Sequence, residues 1–272
     1  MKEPLVLTAK NITATYGKKT VLHDLSVDFA QGRITALVGS NGCGKSTLLK
    51  SIMGFIPLKS GEILLEGKLI TGIGRKALAR KVSYLPQECH CPDYMTLGDL
   101  IELAACGRNS LFGGPSSRDR KLFHDVLEIV GLADKAGSQV NSLSGGQRQR
   151  AWVAMVLAQD TDIILMDEPV NHLDIKFQYT VLKLVRDLSL QHGKTIVVVL
   201  HDLNLTTTFA DDVVMLNTGS VIAAGAVNKT ITVDNIRRVF DIPADIFSYN
   251  GSLVCQPYPD INHPGNQSGV WK

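Results

Sequence analysis

Eight residues, Gly39-Ser40-Asn41-Gly42-Cys43-Gly44-Lys45-Ser46, fit the pattern G-x-x-x-x-G-K-[ST] without a mismatch. The glycines of such a loop let backbone N–H groups curl around phosphate oxygens. A helix starting at its end adds partial positive charge where negative charge must sit. Lys45 is placed to reach the β- and γ-phosphates of a nucleoside triphosphate, Ser46 to ligate Mg2+, and Thr47 to contact the α-phosphate. Downstream, Ile163-Ile164-Leu165-Met166 is an apolar run ending in two acids, Asp167 and Glu168. A run apolar on both faces suits a central parallel strand. At its end Asp167 can hold Mg2+ through water, and Glu168 can orient or deprotonate an attacking water. A third segment, Leu143-Ser144-Gly145-Gly146-Gln147, opens a helix. Ser144 is a good N-cap, and the two glycines allow an anion to approach bare amides. As a bare pattern this segment reads better as a capped helix with a flexible lead-in.

These residues need a sheet with helices behind it. Residues 5–13 alternate apolar and polar, as in a half-buried strand, and 21–29 repeat the alternation. Residues 33–38 are a short apolar run entering the glycine-rich loop, and 45–53 read as a helix stopped by Gly54. Strands are expected at 62–66 and 82–85. After Gln87 the texture changes to helical spacing at 96–106, 118–130 and 144–159, with a Gly/Pro/Ser-rich loop at 110–117. Strand character returns at 162–166 and 195–200, with a helix over 175–191 between them. Residues 213–216 and 221–224 flank Asn217-Thr218-Gly219, a hairpin turn, and 233–240 is a short helix. The tail from 257 is rich in Pro, Gly, Asn and Ser and is expected to be loosely held. The layout expected is one domain: a nucleotide-binding core from 1–88 and 159–256, a helical subdomain at 89–158, and a tail at 257–272.

Composition narrows the class. The chain has 272 residues, 44% of them apolar, which is enough for a sizeable core. Its net charge of +2 argues against a nucleic-acid partner, which calls for a strong basic excess. No apolar run approaches the roughly 20 residues that span a bilayer, and Met1-Lys2-Glu3-Pro4 carries no apolar signal core. A cytosolic chain is expected, with any membrane role supplied by a separate partner. Five cysteines, an odd number, fit a reducing compartment. Cys89-His90-Cys91 is their only cluster, and it supplies too few spaced ligands for a closed zinc site.

In their order along the chain, these segments resemble the ABC (ATP-binding cassette) ATPase family over about residues 5–245. The resemblance implies an α/β fold: a P-loop NTPase core with a mixed sheet, an N-terminal antiparallel β subdomain and an inserted α-helical subdomain. It implies ATP and Mg2+ as ligands, and a homodimer in which Ser144, Gly145, Gly146 and Gln147 of one chain contact the γ-phosphate held by the other. Tyr16 matches the aromatic that stacks on adenine. Gln87 matches the residue that contacts Mg2+ and the water and senses a membrane partner. Asn171-His172-Leu173-Asp174 matches a loop that crosses the dimer interface, with Asp174 at the nucleotide. His201 matches the histidine that contacts the γ-phosphate. Ser40 and Val170 depart from the Pro and Thr more usual at their positions, and neither touches the phosphate chemistry directly.

A finer similarity concerns cargo. Gln147-Arg148-Gln149-Arg150-Ala151-Trp152-Val153-Ala154-Met155, Leu157-Ala158-Gln159-Asp160, Leu173-Asp174-Ile175 with Gln178, Arg80-Lys81-Val82 and Tyr84-Leu85-Pro86-Gln87 look like ATPase subunits of ferric-siderophore importers. Vitamin B12 and haem importers are close alternatives, and a soluble ABC protein of translation or DNA repair is a more distant one. A small-molecule kinase would have no use for residues 143–147. The importer resemblance implies transmembrane permease subunits docking near residues 88–97. It further implies a periplasmic or lipoprotein substrate-binding protein acting indirectly, and a place on the cytoplasmic face of the bacterial inner membrane.

Overall fold

Strand β1 (Leu5–Tyr16) buries alternate side chains, pairs antiparallel with β2 (Lys19–Ala30), and turns into it through Gly17, whose φ is 57°. The chain then leaves this sheet as β3 (Ile34–Gly39) and helix α1 (Lys45–Ile52). It returns as β4 (Leu58–Leu65) and β5 (Lys68–Leu69) to complete an antiparallel sheet in the order β2-β1-β4-β5. The computed structural model describes residues 4–107 and 115–259 of the 272. The expectations for residues 1–3, for the loop over 110–114 and for the tail from 260 lie outside the described residues.

The second sheet is the platform of the site. After α2 (Arg75–Lys81) comes β6 (Val82–Leu85); then follow helices α3 (Leu97–Glu102), α4 (Ser117–Ile129) and α5 (Gly145–Ala158). Next are β7 (Ile163–Met166), α6 (Ile175–His192), β8 (Thr195–Val199), α7 (Leu203–Phe209), and the hairpin β9 (Asp212–Asn217) with β10 (Ser220–Ala226). The described chain ends with α8 (Val227–Thr230), α9 (Val233–Phe240) and a separate hairpin, β11 (Ala244–Tyr249) with β12 (Ser252–Pro257). The strand order is β10-β9-β3-β8-β7-β6, parallel except for the β9–β10 pair. This is an α/β fold with a mixed sheet and a separate antiparallel sheet.

Every inner strand is buried on both faces, and the side-chain period of two divides it between two cores. Ile164, Met166, Ile196 and Val198 face a core shared with α3 to α6. Ile163, Leu165, Val197 and Val199 face a core shared with α1 and the antiparallel sheet. The sheet is thus locked from both sides, and the loops at the C-terminal ends of its strands are held to one plane.

Sequence and structure differ in places. The helix expected over 96–106 is α3 followed by a tighter turn at Leu103–Gly107 that buries Ala104 and Ala105. Helices α2, α7 and α8 and the β11–β12 hairpin were not anticipated.

Candidate functional site

Strand β3 delivers the chain into the 39–46 loop at Gly39, whose φ is 153°. A Cβ there would lie 2.2 Å from the Leu216 carbonyl oxygen, so only glycine lets the loop pass this close to β9. The Lys45 side chain is 5% exposed, and its Nζ donates to the carbonyls of Gly39 at 2.9 Å and Ser40 at 3.0 Å. The ammonium is therefore held inside the loop. Helix α1 starts at Gly44 with no side-chain cap. The amides of Lys45, Ser46 and Thr47 head the helix with no partner inside it, an arrangement that can receive an anion. Asn41 and Gly42 lie exposed at the tip of the loop, whereas Cys43 is 2% exposed beneath it.

Strand β7 positions the two acids. The Asp167 N–H donates to Leu85 O at 2.9 Å and extends the ladder one step past the strand. The Ser46 hydroxyl donates to Asp167 Oδ1 at 3.0 Å, joining the phosphate loop to the strand end. Asp167 is 0% exposed, and its Oδ2 meets no hydrogen-bond partner among the described residues. Burial pushes its carboxyl above the usual carboxylate range, with the Ser46 hydroxyl opposing and the Glu168 charge adding to the rise. A buried carboxylate joined to a serine hydroxyl of the phosphate loop fits a hard divalent cation such as Mg2+.

At Glu168 the backbone turns out of the strand with φ 57°, a left-handed conformation uncommon outside glycine and frequent at functional sites. The turn is braced by Gln149, whose Nε2 donates to the carbonyls of Glu168 at 3.3 Å and Pro169 at 3.2 Å. Three side chains converge on the carboxylate. Gln87 Nε2 donates to Oε2 at 3.0 Å, and Asn171 Nδ2 donates to the same oxygen. His201 Nε2 lies 2.6 Å from Oε1 and donates when it carries the proton. Gln87, Glu168 and His201, far apart in sequence, are thus one hydrogen-bonded cluster at the strand ends.

Ser144 caps α5 with its side chain, accepting from Gln147 N at 3.3 Å, while Gln147 Oε1 accepts from Ser144 N at 3.0 Å. Gly145 and Gly146 follow, and Gly146 faces the His172 carbonyl and Leu173. No hydrogen bond among the described residues joins 144–147 to 39–47. Within one chain the two helix N-termini are separate. Asp174 caps α6, accepting from Phe177 N at 3.0 Å, and Tyr16 lies exposed at the end of β1. Cys89 and Cys91 belong to no cluster of metal-binding side chains among the described residues. Burial pushes the Cys89 thiol up to about 11, which disfavours the thiolate that a metal requires.

Three residues have positioning roles that the sequence reading does not give them. Gly219, at the β9–β10 turn with φ 80°, donates its N–H to Cys43 O at 3.0 Å and accepts from His23 N at 3.0 Å. It pins the phosphate loop to β2. Gln149 and Asn171 hold Glu168 across the chain. Only the spatial neighbourhood distinguishes them from any surface amide.

A family model described as "ABC transporter" matches residues 22–171. The chain belongs to the ABC transporter family. It is 37% identical over 259 residues to the iron(3+)-hydroxamate import ATP-binding protein FhuC of Bacillus subtilis (strain 168), covering 94% of this chain and 96% of that protein. Among solved structures it resembles an inward-facing putative metal-chelate type ABC transporter, with a TM-score of 0.78 and 27% identity, covering 94% of this chain and 99% of that one. It also resembles a dimeric bacterial ABC transporter cassette, with a TM-score of 0.74 and 28% identity, covering 81% of this chain and 98% of that one.

Proposed function

We propose that this chain is the ATP-hydrolysing subunit of an importer for a ferric chelate, working as a homodimer on a membrane permease. The observation that carries the reading is the Glu168 carboxylate. It gathers Gln87, Asn171 and His201 one residue beyond an acid that meets Ser46 of the phosphate loop. ATPase chemistry follows from membership of the family. The iron chelate follows from the likeness to the iron(3+)-hydroxamate import protein and to the metal-chelate type transporter.

In this reading the phosphates of ATP lie across the amides of 42–47, and Lys45 turns from the loop carbonyls to the β- and γ-phosphates. Tyr16 stacks on adenine. Ser46 and Asp167 would hold Mg2+, with Gln87 completing the set; the cation would supply positive charge on the phosphoryl oxygens. Glu168 accepts a proton from the attacking water or aligns it, and His201 holds Glu168 and the γ-phosphate in register. Ser144, Gly145, Gly146 and Gln147 reach the γ-phosphate of the partner, and Asp174 lies where the two chains cross. Closure excludes water other than the nucleophile, and electrostatic stabilisation does most of the work. The 89–158 segment serves as the helical arm and the rest as the nucleotide core. Gln87 and the residues after it pass the motion to the permease at the cytoplasmic face of the membrane.

Two measurements test the reading together. Glu168→Gln should keep ATP binding and lose turnover by roughly 100- to 10,000-fold, the usual worth of a general base. Uptake of radiolabelled ferric siderophores, with labelled vitamin B12 in parallel, is compared in iron-starved source cells carrying wild type or Glu168→Gln. Loss of only the iron signal supports the ferric chelate. Loss of only the vitamin signal keeps the machine and replaces the cargo, and no loss of either removes the importer.

A further inference from the structure

Tyr84 Oη and Asp167 Oδ2 are both sealed from solvent, and neither meets a partner at hydrogen-bond geometry among the described residues. They sit on neighbouring parallel strands. Tyr84 of β6 is in register with Leu165 of β7, two residues before Asp167. Alternation puts Leu165 and Asp167 on one face of the sheet. Tyr84 packs against the same apolar cluster that holds Leu165, with its ring edge-on to Phe55 at 5.8 Å. On that face Asp167 already takes Ser46 on its other oxygen.

An orphaned buried phenol and an orphaned buried carboxylate oxygen each carry a desolvation penalty, and one hydrogen bond between them would remove both. The direction of donation follows from the groups themselves: a phenol carries the proton and a carboxylate oxygen accepts it. A phenylalanine would fill the same space and could not donate.

We propose that the Tyr84 hydroxyl is a positioning donor for Asp167, closing onto Oδ2 and fixing the carboxylate whose other oxygen meets Ser46. The proposal rests on the reading of Ser46 and Asp167 as the cation pair. A fixed carboxylate holds a divalent cation better than a free one, and outer partners of this kind are typically worth about 10- to 100-fold in metal affinity.

The experiment measures Mn2+ binding to the complex of protein with a non-hydrolysable ATP analogue, by electron paramagnetic resonance. Wild type, Tyr84→Phe and Phe55→Leu are compared, with melting midpoint and metal-free analogue affinity measured alongside. Tyr84→Phe should weaken Mn2+ binding by roughly 10-fold or more and leave the other two quantities near wild type. Phe55→Leu, which removes the ring contact and keeps the hydroxyl, should leave Mn2+ affinity unchanged. Unchanged Mn2+ affinity in Tyr84→Phe overturns the proposal, as does an equal loss of metal-free affinity. If wild type itself binds no Mn2+ with the analogue, the assignment of Asp167 fails first. Wild-type binding with an unaffected Tyr84→Phe removes only the phenol.

Discussion

Glu168 combines a left-handed backbone with a carboxylate engaged by three side chains. Such a conformation persists only where its surroundings over-determine it. Asn171 is the local brace, three residues on and bonded to the same oxygen as Gln87. Asn171→Ala should therefore lower kcat by about 10-fold with little change in KM, because it loosens the acid and leaves the phosphate cradle intact. A matched rise in KM in steady-state ATPase assays would mean that Asn171 helps hold nucleotide instead. Cysteine chemistry gives a second test at this scale. The thiolate is the reactive form, and burial pushes the Cys89 thiol up to about 11. Raising pH should increase Cys89 alkylation by iodoacetamide tenfold per pH unit up to that value. Peptide mass spectrometry after short exposures reads the rate; a plateau near pH 8.5 would show an ordinary exposed thiol.

At the scale of elements, the phosphate loop is held as much by a distant turn as by its own strand and helix. A Cβ on Gly219 would lie 2.1 Å from the Val21 carbonyl oxygen, and its φ of 80° is unfavourable for any other residue. Gly67, in the β4–β5 turn, has a similar φ of 75° with nothing within 4 Å of its Cβ position. Both alanine variants carry the backbone penalty of about 1–3 kcal/mol, and Gly219→Ala adds a clash with backbone. Urea unfolding should rank Gly219→Ala well below Gly67→Ala, and only the former should weaken ATP binding. Equal losses in both properties would remove Gly219 from the support of the loop. This turn was legible in Asn217-Thr218-Gly219 as a hairpin, but its contact with Cys43 and His23 was not, because sequence spacing says nothing about which distant loop a turn will meet. The same distinction holds elsewhere. Helix α9 has the ends expected from the sequence, whereas α2 buries only Leu78 and shows no apolar stripe. Strand β11 exposes most of its side chains and so lacks the alternation that marks a strand. The two acids and the phosphate loop could be read because their chemistry demands fixed residue types at fixed spacing. Gln149 and Tyr84 act through space on neighbours, and no local spacing gives them these roles.

At the scale of the whole molecule, the proposed homodimer is what would give the N-terminus of α5 a phosphate to meet. The Ser144 end of α5 carries bare amides on a capped helix, yet it makes no hydrogen bond to the phosphate loop of its own chain among the described residues. A partner chain related by two-fold symmetry would bring it to the other phosphate loop, and the same contact would recur on the opposite side. Mixing two inactive chains tests this directly. Lys45→Ala removes the ammonium of its own loop and leaves its α5 end intact. Gly146→Asp leaves its loop intact and sets a carboxylate at the α5 amides, where an added Cβ meets only ordinary contacts at 3.6 and 3.7 Å. Each variant alone forms dimers in which both sites are broken. A mixed dimer holds one complete site, made of Lys45 from one chain and Gly146 from the other, beside one site broken twice. Random pairing makes half the dimers mixed, each with one of two sites complete, so turnover in an equal mixture should recover toward about a quarter of wild type. If each site used residues of a single chain, both sites in a mixed dimer would stay broken, and the mixture would be as inactive as its components.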